Sequence, residues 1–131
     1  MIDYEVKIFN RVHAAAASLC AKNHFVSTRL ISPTAFPAAS LIEMDNATIR
    51  NRQSSTPAEN FALVTYQLEV YAKTKSACRT VFAAADGAMI AMNFSRMSGQ
   101  YIDNPGNTNV FRYVARYEAE IDPDGNIYRR H

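Results

Sequence analysis

This sequence has little of what usually marks an enzyme. Its four glycines (Gly87, Gly99, Gly106, Gly125) stand singly, so no GxGxxG, Walker-type or GxSxG pattern is present to cradle a phosphate or present a nucleophile. The three histidines, His13, His24 and His131, are not in metal-ligand spacing with another histidine or a cysteine. Two cysteines, Cys20 and Cys78, form no CxxC pair; each falls in a helical pattern and reads as a free, buried thiol of a reducing compartment. A net charge of +2 is too small to argue for phosphate-backbone binding, which needs a clustered basic face. No apolar run approaches the roughly 18 residues of a spanning helix. Asp3, Glu5 and Lys7 leave no signal-peptide order near the start. The expectation is a protein made and kept in a cytoplasm, without membrane contact and without a cofactor.

What is present is ordinary globular material. A chain of 131 residues, 48% apolar and 20% charged, fits one domain. At that size it buries roughly two-thirds of its unfolded surface around one core. Residues 3–22 read as a helix, with Ile2, Val6, Phe9, Val12, Ala16, Leu19 and Cys20 as the apolar stripe. His13 lies beside that stripe, and a surface or partly packed histidine is favoured over a catalytic one, since no acid or nucleophile is spaced to work with it. Phe25–Ile31 reads as a strand stopped by Ser32-Pro33, and Thr34–Pro37 as extended chain. Ala38–Met44 follows as a second strand, turned at Asp45-Asn46 into a polar loop, Ala47–Pro57.

Two segments alternate over an unusual length. In Asn60–Lys73, Ala62, Val64, Tyr66, Leu68 and Val70 point one way and Thr65, Gln67 and Glu69 the other. In Asn107–Asp122, Phe111, Tyr113, Ala115, Tyr117, Ala119 and Ile121 share one face; Arg112, Arg116, Glu118 and Glu120 share the other. Between them lie a helix over 76–92, capped by Thr74 or Ser76 and striped by Cys78, Val81, Phe82, Ala85, Met89 and Met92, and a strand over Asn93–Ile102. Asp103–Asn107 and Asp122–Gly125 are turn signals, and Asn126–Arg129 returns as a short final strand. The fold class is α+β: a mixed, largely antiparallel sheet on two helices, in the order α-β-β-β-α-β-β with a short tail.

The chemistry-bearing residues favour structure over catalysis. Glu43 with Asp45, and Glu118 with Glu120, fall two apart on a strand face, where a solvated edge or a salt-bridge ladder is the plainer reading than acid–base work. The methionines read as core filler. Both long segments far exceed the usual strand of about five or six residues. Strands that long project past a domain's own core, and their outer residues Thr65, Gln67, Glu69, Arg112, Arg116 and Glu118 are candidates for contact with a neighbouring subunit in a closed ring. A hairpin lying in solvent is the alternative.

Four stretches resemble the tail terminator proteins (minor capsid or tail completion proteins) of long-tailed bacteriophages: the helix opening Asp3-Tyr4-Glu5-Val6; the segment Ala35–Asn46; Tyr66–Ala72 running into a helix; and Phe111–Asp122 followed by Ile127-Tyr128-Arg129. The resemblance implies a tail-terminator-like fold and a ring of identical subunits, a hexamer, at the head-proximal end of the tail. Its partners would be the tail tube protein and a head-completion or connector protein, with DNA only in transit through the lumen. Arg50, Arg52 and Gln53 would then lie on a loop at a ring face or the lumen. The runner-up readings are another neck ring, such as a head–tail connector, and a small α+β ligand-binding or hydrolase-like domain with a cavity lined by Tyr66, Tyr113 and Tyr117.

Overall fold

A computed structural model describes residues 3–28, 35–49, 61–102 and 110–129. The elements are α1 (Glu5–Ala16), a 3-10 turn (Ala17–Leu19), β1 (Phe25–Val26), β2 (Ala38–Ile49), β3 (Phe61–Ala72), α2 (Lys75–Ala91), β4 (Ser95–Ile102), β5 (Phe111–Ile121) and β6 (Ile127–Arg129). One sheet takes all six strands in the order β1-β2-β3-β5-β4, with β6 also on β5. Every pairing is antiparallel except that of β1 with β2. The two long alternating segments are therefore the central pair, matched from Ala62↔Ile121 to Ala72↔Phe111. Their backbones are consumed by the sheet itself, so what they offer a neighbour is a face and not an edge.

The core lies between the helices and one face of this sheet. Ala62, Val64, Tyr66, Leu68 and Val70 are all buried there, with Ala115, Tyr117, Ala119 and Ile121 from β5. Period-two alternation put them there, as the sequence predicts. Helix α2 docks through Cys78, Val81, Ala85, Met89 and Met92, with Phe82 half-buried beside them. Its start is fixed by Thr74, whose Oγ1 accepts from the Ala77 N–H at 3.1 Å.

Helix α1 departs from the sequence reading in extent and in face. It ends at Ala16 and tightens into the 3-10 turn instead of running to residue 22, so Cys20 lies beyond it. Its buried stripe is Ile8, Val12 and Ala16, while Val6 is 73% exposed and Leu19 is exposed. The spacing 4-8-12-16 is as helical as 6-9-12-16; what selects it is Tyr4. The Tyr4 hydroxyl donates to the Pro123 carbonyl at 2.7 Å, and its ring packs over Gly125. Gly125 has φ +88, and a Cβ there would meet the Tyr4 ring at 2.9 Å.

Three further expectations change. Phe25–Val26 alone form β1, and residues 27–28 bend away; Arg29–Ile31 of the expected strand, Ser32-Pro33 and Thr34 lie outside the described residues. Asp45-Asn46 is no turn: β2 continues to Ile49, and a register shift between Glu43 and Asp45 absorbs Met44 as an extra residue. That bulge also separates the two acids, since Glu43 stands opposite core-facing Tyr66 while Asp45 stands opposite Thr65. The loop candidates Arg50, Arg52 and Gln53 lie outside the described residues, as do residues 103–109 of the expected hairpin connection. Among the described residues, no helix is long and apolar enough to cross a membrane.

Candidate functional site

The face of the sheet turned away from the helices carries all six of the predicted contact residues. Thr65, Gln67 and Glu69 on β3 lie opposite Glu118, Arg116 and Val114 on β5, and Arg112 lies opposite Tyr71. Period-two alternation again explains why they share a face. It does not explain what they do to one another. The Arg116 Nε donates to Gln67 Oε1 at 3.1 Å, and Gln67 Nε2 donates to Glu69 Oε1 at 2.7 Å. Arg112 also donates to Glu69 Oε1 at 3.2 Å, and the Tyr71 hydroxyl donates to Glu69 Oε2 at 3.1 Å. Glu69, one of the contact candidates, thus accepts three hydrogen bonds within its own subunit and is only 3% exposed. A carboxylate buried this way needs that many donors.

Around this network runs an open groove of about 550 Å³ whose apolar margins are Ile42, Met44, Ile102 and Val114 and whose polar floor includes Gln67, Glu69, Arg112 and Arg116. Ser98 and Gln100 of β4 complete it. At one end Ala38, Tyr71 and Val110 form a second small core, with Phe36 packed on it. Among the described residues that line it, the groove has a hydroxyl at Ser98 and one carboxylate, Glu69, already committed as an acceptor. Its chemistry suits recognition by hydrogen bonds and apolar contact.

On the helix-covered face, each of two buried tyrosines donates to a carboxylate. Tyr66 and Tyr117 are cross-strand neighbours. The Tyr66 hydroxyl reaches Glu43 Oε1 at 3.1 Å, and the Tyr117 hydroxyl reaches Asp86 Oδ1 at 2.6 Å. Burial, followed by the adjacent carboxylate, pushes both phenols well above their usual range. These rings fill the space under the helices, where a ligand cavity would need them to line it. Asp86 is held in turn by Arg96 at 3.0 Å.

Glu43 is also drawn into a group that its sequence neighbours do not announce. Its carboxylate, with those of Asp3 and Glu5 at the start of α1, lies within a 4.8 Å cluster. Burial first, then repulsion from Glu5, Asp3 and Asp45, raises the Glu43 pKa above its ordinary value, against the lowering effect of the Tyr66 hydrogen bond. Only the placement of α1 against β2 brings these acids together, so nothing local in the sequence could have shown it.

The remaining candidates are structural. His13 packs against the rings of Phe9 and Phe25 at 5.6 and 5.7 Å. His24 Nδ1 is 2.7 Å from the Lys22 carbonyl, and His131 lies outside the described residues. Cys20 and Cys78 are free, and burial pushes each thiol up to about 11. Asp122 anchors the last turn. Burial acts against its ionised form, yet hydrogen bonds from the Asn126 side chain and backbone, the Tyr128 hydroxyl and the Asp124 N–H hold its carboxyl below the ordinary value.

No family model matches the sequence, and no curated protein matches it. The fold itself has a counterpart among solved structures. A chain of the virion of a native gene transfer agent (GTA) particle superposes with a TM-score of 0.64 over 88% of this chain and 91% of that one, at 14% sequence identity. The α+β arrangement of two helices on a mostly antiparallel sheet is thus shared with a protein that resides in a virus-like particle.

Proposed function

We propose that this protein is a structural component of a phage-like virion, and more specifically a tail terminator. It would assemble as a ring, a hexamer, at the head-proximal end of the tail, stop growth of the tail tube and present the surface that the head joins. The observation that carries this reading is the near-complete overlap with a chain of the gene transfer agent virion. The four sequence stretches that resemble tail terminators support it from a separate direction. So does the character of the open face, where four of the six predicted contact residues, Gln67, Glu69, Arg112 and Arg116, line an open groove. A structural stop needs two distinct ring faces and a closing interface between subunits, and no pocket. A lumen that passes DNA should not grip it, which agrees with a net charge of +2.

Electron microscopy of particles assembled without the protein tests the assignment. Loss of a terminator leaves tubes longer than normal; tubes of normal length beside unjoined heads would transfer the protein to the connector class. Alanine at both Arg50 and Arg52 tests the loop: folding should be unchanged and tail joining impaired, and an unchanged yield of infectious particles would remove that loop from the proposal.

A further inference from the structure

No described strand pairs along the outer side of β4 or of β2 beyond Ser40. Each edge carries one bulged methionine, Met44 at 49% exposure and Met97 at 57%. Free edges of this length invite pairing with another chain unless they are covered or charged. These two are charged, with opposite signs.

One cross-sheet row makes the contrast plain. Glu43, Tyr66, Tyr117 and Arg96 stand in register across β2, β3, β5 and β4. At the β2 end Glu43 is joined by Asp3 and Glu5. At the β4 end Arg96 is accompanied by Arg79, whose Nε donates to the Tyr101 hydroxyl at 3.2 Å, and by Lys75, whose Nζ lies 5.2 Å from the Tyr101 ring centre. Asp86 neutralises one of these cations, and the end remains basic. Strand direction completes the match. Because β2–β3, β3–β5 and β5–β4 are all antiparallel, β2 and β4 run in opposite senses. A copy rotated about an axis roughly along the strands would lay its β2 beside this β4 as one more antiparallel ladder.

We infer that the partner of each edge is the opposite edge of a second copy: β4 of one subunit pairs with β2 of the next, its basic flank against the acidic flank of its neighbour. This rests on the ring reading above and specifies its seam. Pairing of unlike edges is heterologous, the class of interface that closes into a ring when the rotation per subunit divides a full turn. Pairing of like edges would set carboxylates against carboxylates or cations against cations, which is disfavoured.

Two charge-reversed variants test the seam. The first, Asp3→Lys with Glu5→Lys, makes both edges basic; the second, Lys75→Glu with Arg79→Glu, makes both acidic. By mass in solution, each alone should assemble at least ten-fold more weakly than the unaltered protein, while an equimolar mixture should recover its ring mass with the two variants alternating. A companion measurement on Met44→Cys with Met97→Cys, bridged by a short bismaleimide, should give a ladder up to the ring's copy number. That readout also decides the matter if either reversed variant fails to fold. If the unaltered protein forms a ring but the mixture stays monomeric, either variant assembles normally alone, or Met97→Cys alone gives dimers, the seam is wrong and the ring reading stands. An unaltered protein that forms no ring, either alone or on tail tubes, overturns both.

Discussion

The two faces of the sheet are built from the same residues of β3 and β5 taken alternately, yet they obey different rules. On the helix side, side chains are chosen for volume: alanine, valine, leucine and tyrosine interlock, and each buried phenol finds a carboxylate. On the open side, polar side chains bond to one another, and Arg116, Gln67, Glu69, Arg112 and Tyr71 form a continuous network in which Arg112 Nε alone is buried without a partner. The lesson is that polarity and exposure are separate properties. Glu69 belongs to the polar face by alternation and to the interior by burial. A face with such fixed geometry is suited to meeting another protein, since its hydrogen bonds are already arranged.

The strongest test of this contrast compares positions on opposite faces of β3. Leu68 is fully buried against the helices, so Leu68→Ala should cost about 3 kcal/mol in denaturant unfolding, from lost transfer energy plus an unfilled cavity. Thr65→Ala, on the open face, should change stability by no more than about 0.5 kcal/mol. Equal costs would mean that the open face is covered after all.

Glu69 should behave as an interior residue despite its face. Glu69→Ala leaves the Arg112 guanidinium and the Tyr71 hydroxyl without their acceptor. Because Arg112 retains some solvent access (25% for its side chain), the loss should be about 2 kcal/mol, below the figure for a fully buried pair. Replacing both partners, Glu69→Met with Arg112→Met, should recover most of it. If the double variant is no more stable than Glu69→Ala, the pair is not what holds Glu69 in place.

Much of the fold was legible because alternation and helical spacing are strong over long runs. The faces of β3 and β5, the Thr74 cap and the stripe of α2 all follow from their own residues. The failures share one cause: a local pattern with two acceptable outcomes, resolved by something distant. Val6 reads into the α1 stripe and Ile8 does not, because the contact of Tyr4 with Pro123 and Gly125 that turns the helix is far away in sequence. Asp45-Asn46 has turn composition, but continuous pairing with β3 keeps both in the strand, and the extra residue of the bulge is Met44. Glu69 gives no sign of burial, since its partner Arg112 is 43 positions away. The six candidate contact residues do share one face, and an ion pair on it agrees with the salt-bridge reading of that strand; that Arg112 would take Glu69 as its acid was beyond reach of spacing alone.

The smallest effect expected is also the one that separates the faces by pH. Glu43 on the helix side has a raised pKa, caused first by burial and then by the carboxylates of Glu5, Asp3 and Asp45. The folded state therefore holds this proton more tightly than the unfolded chain. The stability it contributes is fully present below the ordinary carboxylate value of 4.5 and is lost as pH rises through the raised value. Glu43→Gln keeps an acceptor for the Tyr66 hydroxyl and removes the charge. Because Glu43 is only partly buried, solvent screening should hold the gain at neutral pH below about 1 kcal/mol. Thermal unfolding of both proteins from pH 4 to pH 8 should show curves that meet at the acid end and part as pH rises, with the glutamine variant above. Curves that stay parallel across the whole range would show that the cluster at the β2 edge imposes no strain on the folded subunit.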